Sequence, residues 1–367
     1  VPGHAGPSGA SPKAFSRGAV AAPVPLFAGK LLLADGAVEG WLEADGARVA
    51  DWGEGPAPRR ADASGWILPA PVNAHTHVAD ACLRGRPGMP PTVAELVGPG
   101  GWKHRNLAAA SAEEVRGGIE RYTGEMAALG TSRFLDFREG GLAGIRTVKA
   151  FADELPVPGL FLGRPATPAF DEAEARALLA EADGLGLSAM RDFPDPSHVE
   201  ALADLCHKAR KPFALHVSEA RREDIEAILA LEPTFLVHAT QATKADLEAV
   251  ADAGVTVVVC PRSNAHYGMK SPLDRMLAAG VPVAVGTDNG MLQDGNLLAE
   301  LSLLHAWHPK VPVEQLLRMA TWNGRALAGL KPALPPRKGS PLDVVVLPES
   351  PLPPPPSLKP ALAPGGP

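Results

Sequence analysis

The chain is poor in cysteine: Cys82, Cys206 and Cys260 are the only three in 367 residues. None stands in a paired spacing, so neither a disulfide framework nor a cysteine-built zinc site is indicated. No apolar run reaches the roughly 18 residues that a membrane-spanning helix needs. The opening stretch, "VPGHAGPSGASPKAFSRGAVAAPVP", lacks the sustained apolar core of a secretory leader, and a cytoplasmic location is the expectation. Neither sign of charge dominates. The formal net charge of −6 argues against a nucleic-acid surface, which is normally basic. No glycine-rich phosphate-binding fingerprint follows the first strand of the regular region, which counts against an open doubly wound sheet.

What the chain has is apolar material in a regular rhythm. Hydrophobic residues make up 46% and charged residues 21%, enough for a large core in a globular α/β protein. From Ile67 to about Asn289, short apolar runs alternate with longer amphipathic stretches. The strand candidates are "WILPAPVNAHTH", "TSRFLDF", "GLFLGRP", "LGLSAMRDF", "PFALHVS", "TFLVHAT", "VTVVVCP" and "VPVAVGTD". Helical text such as "SAEEVRGGIERYTGEMAALG" and "TKADLEAVADAG" separates them, and Gly130, Gly254 and Gly280 close three helices just before a strand. This order predicts a parallel (β/α)8 TIM-type barrel over 67–330. Alternating pieces over 25–66, with "KGSPLDVVVLP" in 331–348, predict a small β-sandwich side domain built from both chain ends. Residues 1–24 and the Pro-rich 349–367 read as extended, poorly structured tails.

In such a barrel, the C-terminal strand ends face the active site. The polar residues there are His75 and His77 on the first strand, His216 and then Glu219 on the fifth, His238 on the sixth, and Asp288 on the eighth. Side chains two apart on a strand share a face, so His75 and His77 point the same way. A lone strand histidine is usually a satisfied core or surface residue. Four histidines and an aspartate at one end of one barrel are different, because burying them without partners costs several kcal/mol. A divalent ion resolves that cost. Imidazoles with a carboxylate suit zinc first and iron second. The ion lowers the pKa of its water toward about 7.

The ordered set "NAHTH", "HVSE", "VHAT", "CPRSN" and "GTDN" resembles the amidohydrolase superfamily, in its mononuclear branch of cytosine, guanine and adenosine-type deaminases and triazine hydrolases. The resemblance runs from about Leu26 to Leu347. It implies that His75, His77, His216 and Asp288 hold one metal ion, that Glu219 shuttles protons, and that His238 polarises the attacked group. On chemical grounds Asp288 can take a proton from the activated water and Glu219 can pass one to a ring nitrogen or leaving amine. The other reading of Glu219 is an acid at the start of the helix in "SEARREDIEAIL". His238 could instead be a further ligand, as in binuclear members. Those use a carboxylated lysine on the fourth strand, where "LGLSAMRDF" has none.

The expected reaction is hydrolytic deamination of an amino-substituted heterocycle. Cyclic amide hydrolysis, loss of halide from a triazine, and a catalytically silent barrel are the alternatives. The partner is a small molecule, with neither nucleic acid nor membrane; the resemblance also suggests a homodimer. The loop after the first strand carries Arg84, Arg86, Trp102, Lys103, His104 and Arg105. "GWKHR" could grip an anion, with Trp102 stacking on a ring, or be a solvated basic loop. Asp136, Arg138, Glu139, Arg191 and Asp192 could form a salt-bridged wall or touch substrate. The resemblance places Ser263, Asn264 and His266 next to the metal end, where Ser263 and Asn264 are expected to brace its loops, and Cys260 is expected to pack.

Overall fold

The computed structural model describes residues 24–356, apart from 91 and 99. The expectation for 1–23 and 357–367 lies outside the described residues; 349–356 carry neither helix nor strand. The strands are β1 (Leu26–Leu32), β2 (Ala37–Asp45), β3 (Arg48–Glu54), β4 (Ala63–Pro69), β5 (Val72–His77), β6 (Arg133–Arg138) and β7 (Gly159–Gly163). They continue with β8 (Gly184–Leu187), β9 (Phe213–Val217), β10 (Phe235–His238), β11 (Thr256–Val259), β12 (Val283–Val285), β13 (Asp288–Asn289) and β14 (Val344–Leu347).

A nine-stranded sheet runs β12-β11-β10-β9-β8-β7-β6-β5-β13, with parallel pairing throughout. Because β12 and β13 are successive pieces of one run, pairing of β13 with β5 brings the two ends of the sheet together. The arrangement is a curled, mostly parallel sheet with helices between its strands, consistent with a TIM-type α/β fold. Val72, Ala74, Leu135, Phe137, Leu162, Ala214, Phe235, Val237, Val258 and Ala284 pack together on its inner face. Cys260 belongs to that cluster, as expected. Outside, helices rest on a larger apolar layer that includes Ile119, Phe134, Ile145, Leu178, Leu202 and Leu247.

Local chemistry explains the helix boundaries. Ser111 and Glu114 form a capping box at the start of Ala112–Ala128, and Thr243 and Asp246 do the same for Lys244–Asp252. Gly130, Gly254 and Gly280 take left-handed φ of 77°, 67° and 84°, the conformation that ends a helix without a Cβ clash.

The flanking strands differ from expectation in two ways. They form one five-stranded sheet, β14-β4-β1-β2-β3, and no second layer of a sandwich is seen among the described residues. The run read as one strand, "WILPAPVNAHTH", is two: β4 pairs with β1 and β14, whereas β5 pairs with β6 and β13. The chain changes sheets at Ala70–Pro71, later than Ile67. Proline offers no amide to a ladder, so β4 ends at Pro69, opposite Val344, and Pro71 stands between it and β5. The eighth run is likewise broken, at Gly286 and Thr287. A Cβ on Gly286 would lie 2.6 Å from the His75 nitrogen and 2.7 Å from its oxygen, backbone atoms that cannot turn aside. Gly286→Ala is therefore expected to destabilise the fold by about 1–3 kcal/mol, read as a lower midpoint in chemical denaturation. An unchanged midpoint would contradict this closure.

Candidate metal centre and its cleft

The register of β5 against β6 shifts between Asn73 and Thr76. With that irregularity both His75 and His77 face Phe137 on the inner side, at ring separations of 4.5 and 6.2 Å. His216 follows Ala214 on the same face of β9, and its ring lies 4.9 Å from that of His75. Ligand atoms of His75, His77, His216 and Asp288 all lie within 4.8 Å of one another. The Nε2 atoms of His75 and His77 stand 3.4 and 3.5 Å from Asp288 Oδ1.

This donor set fits a divalent ion on its own geometry. The His216 Nδ1 lies 2.8 Å from the Leu187 carbonyl and the His77 Nδ1 lies 3.1 Å from that of Phe137. Donation from those nitrogens leaves each Nε2 as a lone-pair donor toward the shared point. His75 is fully buried, yet neither of its ring nitrogens has a hydrogen-bond partner. Burial pushes its pKa down to about 3, so the ring is neutral and available. Asp288 goes the other way: burial opposes its ionisation, but His75 and the neighbouring imidazoles hold it well below the usual carboxylate range.

His238 sits one residue past the inward-facing Val237, on the wrong parity for the interior. A left-handed φ of 75° at His238, followed by 50° at Ala239, turns the chain at this point. Asp288 and Ser218 are also left-handed, at 59° and 44°. Such conformations cost about 1–3 kcal/mol each in non-glycine residues and persist where surrounding structure holds them. His238 Nε2 is 3.5 Å from Glu219 Oε1 and 4.0 Å from Asp288 Oδ2. Asn264 braces its other nitrogen at 3.2 Å, while the Ser263 hydroxyl donates to Asp288. Both thus stand behind the site, as expected; the His266 ring packs on Tyr267. Glu219 is no helix-start acid, because the helix begins at Ile225 with Asp224 as its cap. Burial raises the pKa of the Glu219 carboxyl.

These groups open into a cleft of about 170 Å³, lined also by Lys103, His104, Arg164, Arg191, Asp192, Tyr267 and Asn289. The loop after β5 caps it with a 3-10 turn (Val78–Leu83) and the helices α1 (Val93–Val97) and α2 (Trp102–Ala109). Several substrate contacts expected in that loop need correction. Arg84 is absent from the cleft lining: it lies 2.7 Å from Glu125, donates to the Gly290 carbonyl and covers the Tyr122 ring. Trp102 is buried with Leu83, Leu96, Tyr267 and Met291, so its indole serves the cap's own small core. Lys103 lines the cleft, but its ammonium is engaged at 2.9 Å from Asp80 and 2.7 Å from Glu139. Despite burial, those carboxylates hold its pKa up at about 12. His104 keeps its place at the cleft wall, near the Val97 carbonyl.

Arg164, Tyr267 and Asn289 are polar lining residues that the sequence reading missed, and Arg164 is the charged one among them. It follows β7 directly and borders both this cleft and an adjoining one that reaches Pro165, Pro168 and Phe193. The signal was present, since "GLFLGRP" puts an arginine at a C-terminal strand end. Asp136 and Arg138 face inward structure rather than the cleft: Asp136 accepts from the Val78 amide at 2.7 Å, and Arg138 reaches the Gly144 carbonyl.

A curled parallel sheet gathers a metal-capable histidine and aspartate cluster at its C-terminal strand ends, where folds of this type place their active sites. The chain belongs to the amidohydrolase family, which it matches over residues 66–334. As a member of that family it is a hydrolase. A relative from Archaeoglobus fulgidus named "Putative aminohydrolase" is 35% identical over 236 residues, covering 64% of this chain and 67% of that one. The 5-methylthioadenosine/S-adenosylhomocysteine deaminase of Halobacterium salinarum is 29% identical, covering 78% and 75% of the two chains. In fold, the chain is similar to a zinc-bound adenosine deaminase from Xanthomonas campestris, with a TM-score of 0.67, 19% identity and coverage of 90% and 86%. No helix among the described residues is long and apolar enough to cross a membrane.

Proposed function

We propose that this protein deaminates an amino-substituted heterocycle by hydrolysis: water adds at the ring carbon, and the exocyclic amine leaves as ammonia. The observation that carries the reading is the His75, His77, His216 and Asp288 donor set directly beside the Glu219–His238 pair in one cleft. The names of the deaminase relatives support it. The barrel of 71–330 supplies this site, and 25–70 with 331–348 form one flanking unit.

His75, His77, His216 and Asp288 hold one divalent ion, zinc ahead of iron, as the borderline nitrogen and oxygen donors favour. When bound, that ion acts as a Lewis acid that makes hydroxide available at neutral pH. Asp288 Oδ2 takes the proton of the attacking water, with Ser263 fixing the carboxylate. Glu219, protonated more readily than an ordinary glutamate because of its burial, gives its proton to the ring nitrogen; the proton taken by Asp288 goes to the leaving amine, and the hydroxyl proton of the adduct returns to Glu219 as the carbonyl forms. His238, steadied by Asn264, donates from Nε2 to the oxygen developing on the attacked carbon.

Arg164 and His104 hold the part of the substrate that projects away from the reacting ring. Arg164→Ala is expected to raise KM about tenfold or more, the range of hydrogen bonds to charged groups. Arg84→Ala is expected to leave KM alone and to lower stability by about 1 kcal/mol, because Arg84 pairs only with the fold. Steady-state kinetics and denaturation midpoints of the two variants check this; a raised KM in the Arg84 variant alone would reverse the assignment. An ammonia-release screen of the metal-loaded protein over aminated purines, pyrimidines and triazines tests the reaction. Ammonia from one of them supports deamination. Ring opening or halide release without ammonia rejects it in favour of another hydrolysis.

A further inference from the structure

Behind the donor set lies a second buried cluster, made of charges that the deamination chemistry does not use. Asp80, in the turn after β5, is fully buried, and Lys103 and Glu139 are 3% and 8% exposed. The Lys103 ammonium stands 2.9 Å from Asp80 Oδ2, 2.7 Å from Glu139 Oε1 and 3.5 Å from Asn289 Oδ1. Neither oxygen of Asp80 has a hydrogen-bond partner, and Lys103 is its one ion-pair contact among the described residues. Glu139 in turn lies 3.2 Å from His77 Nδ1, with Arg164 3.6 Å away on its other side. One lysine on the cap thus reaches the ends of β5, β6 and β13, the first and last of which carry His77 and Asp288.

The geometry points to Lys103 as a positioning residue for the metal: it holds Glu139 in place against His77, and ties the cap helix α2 to the strands that carry the ligands. The inference rests on the reading of His75, His77, His216 and Asp288 as a metal site, and it holds whatever the substrate is. Without the ammonium, Asp80 is buried with no counter-charge and Glu139 keeps only Arg164, at 3.6 Å. Glu139 is then free to swing, and His77, which keeps the Phe137 carbonyl, loses the carboxylate fixed 3.2 Å from its Nδ1. Partners of this kind change metal affinity by 10–100-fold when removed.

The test is the zinc affinity of the purified chain, measured by competition with a chromophoric chelator and so independent of any activity. Lys103→Met is expected to bind zinc at least tenfold more weakly, with Lys103→Arg recovering most of the loss. Glu139→Gln is expected to lose about as much as Lys103→Met, and the double variant no more than either alone, since coupled residues do not add. Arg325→Met serves as the control: it breaks the ion pair of a buried arginine with the half-exposed Asp343, 2.6 Å away and far in sequence from the ligands, and should unfold more easily without weakening zinc. Zinc affinity of Lys103→Met within twofold of the parent, or additive losses in the double variant, overturns the proposal. Should Lys103→Met not fold, Glu139→Gln and Lys103→Arg decide: no loss in the first, or full loss in the second, rejects it. A parent chain that binds no zinc rejects the metal site itself and this role with it, whereas a parent that binds zinc but releases no ammonia leaves it standing.

Discussion

Glu219→Gln is expected to lower kcat by 10²–10⁴-fold, the usual worth of a positioned acid–base group, while the protein keeps its metal. The amide has the shape of the carboxyl but cannot give or take a proton at that atom. Glu219 stands outside the four-residue donor set, 3.5 Å from His238 and reached from the cleft. The variant therefore separates proton transfer from metal binding. Metal content per chain and kcat, measured on the same preparation, decide the matter. If kcat stays within tenfold of the parent, Glu219 is not the proton carrier. If metal is lost along with turnover, Glu219 is a ligand and the four-residue set is incomplete.

The complementary change is His75→Ala, for which metal retention and turnover are both expected to disappear. His75 is central: its ring lies 5.0 Å from that of His77 and 4.9 Å from that of His216, and its Nε2 faces Asp288. A ligand that binds only the folded chain stabilises it by about 4 kcal/mol at a thousand times its Kd. Added zinc should therefore raise the unfolding midpoint of the parent by many degrees and leave the variant unmoved. Because burial holds the His75 pKa near 3, this ligand stays neutral throughout neutral and mildly acid pH. Its own protonation accordingly does not release metal there. A zinc-dependent midpoint shift of parental size in His75→Ala would remove His75 from the site.

The metal-capable cluster was legible because strand periodicity and barrel geometry leave little freedom. His75 and His77 were placed by their spacing, His216 and Asp288 by standing at strand ends, and the glycine helix stops by the left-handed turn they require. The cap was not legible. "GWKHR" reads as a solvent-facing basic patch, but Trp102 is drawn inward by Leu83, Leu96 and Met291, and Lys103 by Asp80 and Glu139. Those partners come from distant parts of the chain, and no local pattern announces them. His238 likewise owes its place to a left-handed backbone that period-two counting cannot foresee. The change of sheet at Pro71 was hidden inside one continuous apolar run, where only the prolines hinted at it.

The most direct test of the account is stoichiometric: ammonia released per molecule of heterocycle consumed by the zinc-loaded chain, with Glu219→Gln run beside it. One ammonia per substrate from the parent, and a loss of at least a hundredfold in the variant, is the predicted result. Substrate consumed without ammonia, or equal release by both proteins, would contradict it.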